Sequence, residues 1–219
     1  MIQLYSYYRS SCSWRVRIAL NMLGVQHKIV PVNLLASEQQ APEYLSVNPL
    51  GTVPAIRLPE GNIVWQSLAI IDFLDPEGRL LPLNRNERAR CIQIAQTICS
   101  EIQPLQNLSV VKKVKELAGD EAGVSWAQFH NLSKLKIIND HLVDKSAQFC
   151  VGDKVTLADL CLVPQLYSAK RFGIDIKSEF PHLYQIAKSL ENRDEFRRAH
   201  PHSQPDCPDD IKKLGVFFD

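Results

Sequence analysis

Ser10, Ser11 and Cys12 place two hydroxyls and a thiol where a short apolar strand, Ile2 to Tyr7, hands over to a helical stretch. That stretch carries Val16, Ile18, Ala19, Leu20 and Leu23 on one apolar face. Unpaired backbone N–H groups and the positive end of the helix dipole point outward at such a junction. A junction of this kind binds anions and lowers the pKa of a thiol brought to it. The chemistry implied is thiolate chemistry, the thiol being either Cys12 itself or one that belongs to a bound cofactor. The segment runs on through Ser13-Trp14-Arg15-Val16-Arg17.

Two further features belong with it. Val53-Pro54 precedes a strand; base rates favour an ordinary trans turn proline, but in a thioredoxin-like fold the cis form is expected, in a turn that holds the preceding backbone N–H and C=O open for a peptide ligand. Gln66-Ser67 opens a helix directly after a strand, where the Ser hydroxyl and the first N–H groups can take up a carboxylate. A thiol-activating helix end, a backbone-pairing strand edge and a carboxylate holder suit a short cysteine-containing peptide. Glutathione fits that description.

The elements that must position these groups alternate over the first 75 or so residues. Strands are expected at Ile2–Tyr7, His27–Val32, Ala55–Leu58 and Asn62–Trp65, the last two joined by the hairpin signal Pro59-Glu60-Gly61. Helices are expected from Cys12 to a terminating Gly24, more weakly from Glu38 to Leu45, and from Gln66-Ser67 to Leu74. The order β-α-β-α-β-β-α, with a proline before the third strand, is the thioredoxin-like arrangement, a mixed sheet covered by helices on both faces. Pro76 to Pro82 reads as a linker. Beyond it the period is helical, with helices expected at Glu87–Leu108 (perturbed by Pro104), Trp126–Lys145, Leu157–Arg171 and His182–Asn192. Thr156-Leu157-Ala158-Asp159 is a capping box. The tail from His200 is irregular and polar until Val216-Phe217-Phe218. The expected fold is α/β plus all-α: a thioredoxin-like domain over residues 1–78 and an all-helical domain over 84–219.

Composition narrows the function classes. A net charge of +1 argues for neither nucleic acid nor an anionic membrane surface as partner. No signal peptide and no apolar run near the ~18 residues of a membrane span is visible. The six cysteines form no CxxC pair, and several sit in apolar helical patterns, which suggests a reducing, cytoplasmic compartment. His200-Pro201-His202 offers two metal ligands without a third, so no metal site is expected, and no Gly-rich phosphate loop is present. Arg9, Arg15, Arg17 and Arg171 are the notable basic residues near the site; for Arg17 plain surface charge is as good a reading as any role.

The segment from Ser10 to Leu20 resembles the cytosolic glutathione transferases, and within them the zeta class of maleylacetoacetate isomerases. The likeness is reinforced by Gln66-Ser67-Leu68-Ala69-Ile70-Ile71, by Ile102 to Val110, and by Val151-Gly152-Asp153 leading into Thr156 to Gln165. His200-Pro201 and Gln204-Pro205-Asp206 match the family's C-terminal segment, so the resemblance spans Leu4 to Pro208. It implies glutathione contacts at Ser10, Ser11, Cys12, Ser13, Trp14, Arg15, Gln40, Val53, Gln66, Ser67, Gln103, Asn107, Leu108 and Ser109, with Arg171 facing an acidic substrate. Gly51-Thr52 stands where many relatives carry a bulkier, more polar pair. The implied reaction is glutathione-dependent cis–trans isomerisation of maleylacetoacetate, or of maleylpyruvate, by a homodimer acting on a small dicarboxylate. Ser10 is favoured as thiolate stabiliser, Cys12 as its support and Tyr7, used by other classes, as structural. A monothiol transferase working through Cys12 and a non-catalytic glutathione-binding protein are the competing readings.

Overall fold

A computed structural model describes residues 1–143 and 148–213. The chain divides into two compact units, the first containing Met1–Gly78 together with the segment from Asn192, the second Arg79–Glu191. In the first unit, strands β1 (Ile2–Ser6), β2 (His27–Pro31), β3 (Ala55–Arg57) and β4 (Ile63–Trp65) form one sheet in the order β2-β1-β3-β4. The β1–β2 pair is parallel; β1–β3 and β3–β4 are antiparallel. Leu4 and Ile56 face each other across β1 and β3, and both are fully buried. The helices are α1 (Ser11–Leu23), the short α2 (Pro42–Leu45) and α3 (Ser67–Leu74). This is the thioredoxin-like order read from the sequence.

Helix α1 has strong signals at both ends. Ser10 caps its start, the side chain accepting from the Ser13 N–H at 3.2 Å. Gly24, in the left-handed region at φ 69°, ends it, with Val25 N–H donating back to the Leu20 carbonyl at 2.9 Å. Between them Trp14, Val16, Ile18, Ala19 and Leu20 are fully buried.

The 192–213 segment departs from the sequence reading, which assigned it to the helical domain. Its helices α10 (Asp194–Ala199) and α11 (Asp209–Lys212) belong to the first unit. Asn21 Nδ2 donates to the Glu195 carbonyl at 2.9 Å, Arg17 Nε to the Ala199 carbonyl at 2.9 Å, and Tyr8 N–H to Asp206 Oδ2 at 2.7 Å. Arg17 is correspondingly 1% exposed, not the surface charge that composition allowed. Residues 214–219, with the Val216-Phe217-Phe218 run, and Lys145 lie outside the described residues.

His200 in this segment carries a pH expectation. Its ring packs edge-on to Trp14 at 5.3 Å, and its Nδ1 accepts the His202 N–H at 3.1 Å. Burial, helped by the His202 and Arg17 charges, pulls its pKa down to about 3. The unfolded chain, near the ordinary value, therefore binds an extra proton throughout the interval from about 6.5 to about 3. Stability is complete above that interval and falls as pH drops through it, by at most about 1.4 kcal/mol per pH unit. Urea unfolding of wild type and His200→Gln from neutral to mildly acid pH checks this, the variant showing the shallower slope.

The second unit is helical throughout its described elements. They are α4 (Arg85–Gln96), α5 (Leu108–Ala118), α6 (Asp120–Ile137), α7 (Leu157–Arg171), α8 (Ile176–Glu179) and α9 (Pro181–Glu191). The single helix expected over Glu87–Leu108 is instead α4, a π-helical stretch Thr97–Ile102 and a turn Pro104–Gln106. Pro104 has no N–H to continue the ladder. Asn107 then caps α5, its side chain accepting from Leu108 N–H at 2.7 Å. Gly119 separates α5 from α6, which starts at Asp120 rather than Trp126. The capping box at the head of α7 is formed as read, and α7 runs to Arg171 through Pro164. Among the described residues no helix is long and apolar enough to cross a membrane.

Candidate active site

The sheet register brings the first unit's candidates to one end. Ala55, at the start of β3, pairs with Tyr5 near the end of β1 and with Trp65 at the end of β4. The Tyr7–Ser10 corner, Val53-Pro54 and Gln66-Ser67 therefore leave the sheet on the same side. The Val53–Pro54 peptide is cis.

Ser10 keeps partial exposure at the head of α1, with Cys12 half-buried beside it. With the Ser10 oxygen accepting from Ser13 N–H, the hydroxyl keeps its hydrogen and one lone pair for a ligand. Ser13, Trp14 and Arg15 are 1% exposed or less, so their side chains look into the protein, and Ser11 is buried too. Arg15 Nη1 reaches Ser67 Oγ at 3.4 Å, linking the starts of α1 and α3. Tyr7 is buried, its ring edge-on to Tyr8 at 4.7 Å and its hydroxyl pushed up to about 12 by burial.

Gln66 is held at φ 73° and ψ 118°, a conformation a non-glycine residue rarely adopts. Such strain costs of order 1–3 kcal/mol and collects where a ligand is held. Ser67, buried next to it, begins α3. A strained corner opening onto a helix start fits a carboxylate-bearing peptide such as glutathione.

Gln40 is exposed, its Nε2 lying 3.4 Å from the Gly51 carbonyl. Gly51 sits at φ +59°, and a Cβ there would fall 2.6 Å from Gln40 Nε2 and 3.1 Å from the Gln39 carbonyl oxygen. Gly51→Ala is thus expected to displace Gln40, raising KM for glutathione several-fold with little change in kcat, at a stability cost of about 1–2 kcal/mol. Steady-state kinetics with varied glutathione measures it; an unchanged KM would detach Gln40 from glutathione binding.

In the second unit, Gln103 and Asn107 are half-buried, while Leu108, Ser109 and Arg171 are exposed. The sequence reading missed what supports the 103–109 connection. Gln106 Nε2 donates to Gln165 Oε1 (3.3 Å), Gln165 Nε2 to Asn131 Oδ1 (2.7 Å), and Asn131 Nδ2 to Gln106 Oε1 (2.6 Å), a closed ring of buried amides. It ties the connection to α6 and α7, and a ring with every member satisfied is rigid. Arg171 lies about 1.7 turns beyond Gln165, about 9 Å of helical rise.

The glutathione S-transferase N-terminal domain matches residues 9–77 and the C-terminal domain residues 108–194. The maleylacetoacetate isomerase of Mus musculus is 43% identical over 214 residues, 95% of this chain and 96% of that protein. The chain belongs to the zeta-class glutathione transferases, the maleylacetoacetate isomerase family. Among solved structures, maleylacetoacetate isomerase from Anaeromyxobacter dehalogenans 2CP-1 with bound glutathione superposes with a TM-score of 0.85 at 36% identity, covering 95% of this chain and 98% of that one. A second structure of that protein holds dicarboxyethyl glutathione and citrate in its active site. A bacterial zeta-class maleyl pyruvate isomerase gives a TM-score of 0.88 at 31% identity, covering 94% of this chain and 100% of that one.

Proposed function

We propose that this zeta-class chain catalyses the glutathione-dependent cis–trans isomerisation of maleylacetoacetate to fumarylacetoacetate, a step in tyrosine and phenylalanine breakdown. The observation that carries the reading is Ser10, a helix-capping hydroxyl with its hydrogen still to offer, in a chain that matches maleylacetoacetate isomerases along nearly its whole length. When bound, glutathione supplies a thiolate that adds to the conjugated double bond and later leaves it, so that none is consumed. Ser10 donates to the thiolate, and the start of α1 adds its positive potential. Lowering a thiol pKa by about two from near 8.5 takes ~2.7 kcal/mol, within reach of those two contributions. Gln66 and Ser67 hold a glutathione carboxylate, and Val53 offers its backbone; Ser11, Ser13, Trp14 and Arg15 shape the corner from within. Gln40, Gln103, Asn107, Leu108 and Ser109 are further glutathione contacts on the strength of the family likeness. Arg171 pairs with a substrate carboxylate, for which a planar guanidinium is suited. Relatives holding dicarboxyethyl glutathione, or malonate beside glutathione, support a dicarboxylate substrate.

The maleyl pyruvate isomerase likeness favours a second substrate with the same flanking carboxylates, and kcat/KM for the two compounds decides between them. We further infer a cytoplasmic homodimer, residues 1–78 of one copy packing on the helical residues of the other. The exposed Trp65, Phe73 and Ile92 support an interface, and the six cysteines, all outside disulfides, support a reducing compartment.

Cys12 tests the isomerase reading against thiol transfer. Cys12→Ala is expected to keep isomerisation within about tenfold of wild type, losing one supporting group, and to abolish any reduction of mixed disulfides. Loss of isomerisation to the level of the uncatalysed reaction would make Cys12 the working nucleophile.

A further inference from the structure

The corner that carries Ser10 is fixed by two residues from opposite ends of the chain. Arg17 lies two turns along α1 and is 1% exposed. Its guanidinium donates to Ser6 Oγ (3.0 Å), the Tyr7 carbonyl (3.4 Å), the Tyr8 carbonyl (2.9 Å) and the Ala199 carbonyl (2.9 Å). The Tyr7 carbonyl also accepts the Ser10 N–H at 3.0 Å, so one oxygen joins Arg17 to the backbone of Ser10. Asp206 Oδ2 takes the Tyr8 N–H at 2.7 Å, and the Asp206 charge opposes the burial that pulls Arg17 down to about 9. Both polar groups of the Tyr8 peptide backbone are thus held by charged side chains, the stronger kind of hydrogen bond.

We propose that Arg17 and Asp206 are positioning residues for thiolate activation, locking the Tyr7–Ser10 corner so that the Ser10 hydroxyl is preset toward the bound thiol. Both act through the backbone of the corner and not through a ligand contact. Their contribution is preorganisation: a donor that need not reorient stabilises an anion more than one that must. A displacement on the order of 1 Å at such a corner costs up to a hundredfold in rate. The 192–213 segment thereby becomes part of the catalytic apparatus of the first unit, since it supplies Asp206 and the Ala199 carbonyl. The inference rests on the Ser10 assignment made above.

The test uses the full chain and glutathione alone. The pH at which the bound thiol ionises is read from its ultraviolet thiolate absorbance in wild type, Ser10→Ala, Asp206→Ala and Asp206→Asn. Amide hydrogen exchange at Tyr8 and Ser10 is followed in the same proteins. Asp206→Ala is expected to lower the thiolate fraction at a given pH about tenfold, roughly one pH unit, and to speed Tyr8 and Ser10 exchange. Asp206→Asn, which keeps an accepting oxygen, is expected to restore most of both. Arg17→Lys, if it folds, is expected to fall between. A purely structural role would lower thermal stability and leave the ionisation pH where it is. If Ser10→Ala shifts ionisation while folded Asp206→Ala does not, the positioning role is wrong. If Ser10→Ala shifts nothing, the Ser10 reading fails and takes this inference with it.

Discussion

Ser10→Ala is expected to cut kcat/KM for isomerisation about a hundredfold, equivalent to ~2.7 kcal/mol of lost anion stabilisation. The substitution removes two things at once. One is the hydroxyl hydrogen proposed to face the thiolate; the other is the cap on α1, where the oxygen accepts from Ser13 N–H. The cap alone contributes about 1 kcal/mol of stability, and that part appears in urea unfolding, not in the ionisation of bound thiol. Ser10→Thr keeps both functions in chemical type and separates them from size. Steady-state kinetics beside urea titration of the three proteins distinguishes the effects. An Ala variant with wild-type kcat/KM and lowered stability would leave Ser10 as a cap only.

Asp159→Ala is expected to be the most destabilising of the changes considered, by about 3–5 kcal/mol. Asp159 is fully buried at the head of α7. Its two oxygens accept from the Thr156 N–H (2.8 Å), the Thr156 hydroxyl (3.0 Å) and the Cys150 N–H (2.8 Å). Truncation strands all three donors in the interior, each at a cost of about 1–3 kcal/mol. Domains of this size hold only about 5–15 kcal/mol in total, so the variant is expected to accumulate as insoluble or partly unfolded protein. Burial pushes the Asp159 carboxyl above its ordinary range, with the backbone N–H groups of Cys150 and Thr156 opposing. A raised folded-state pKa means that the group's contribution is complete below its unfolded value and declines as pH rises through the folded one. Asp159→Asn keeps one accepting oxygen of the two and turns its NH2 toward the donors of the other, so it is expected to lose less than Asp159→Ala while still being clearly destabilised. Urea midpoints of the two variants check the ordering; equal losses would show that the one accepting oxygen Asn retains contributes nothing.

The first unit was legible because its signals are local. Strand and helix periods alternate up to Leu74, and Ser10 and Gly24 mark the ends of α1 within a few residues of where they act. The thioredoxin-like order and the grouping of Ser10, Val53 and Gln66 follow from that alternation together with the register. Helix α5 escapes the sequence for a local reason: Pro104 reads as a kink in one long helix, although Asn107 and Gly119 bracket a separate amphipathic segment. The 192–213 segment was lost for a non-local one. Nothing near Ala199 in sequence announces that its carbonyl will meet Arg17 Nε, 182 positions away. For the same reason a buried Arg17 looks like surface charge until its four acceptors are in view, and the Gln106–Asn131–Gln165 ring looks like three unrelated polar residues. Side-chain networks closed over long separations leave no periodicity to read.

In the proposed reaction glutathione acts as a catalyst and not as a reactant. Maleylacetoacetate is incubated with the purified full chain, with and without substoichiometric glutathione, following loss of the cis isomer while total thiol is titrated. The expected result is many turnovers per glutathione, none without it, and a thiol titre that stays constant. Glutathione consumed in step with substrate, or turnover indifferent to glutathione, would contradict the account.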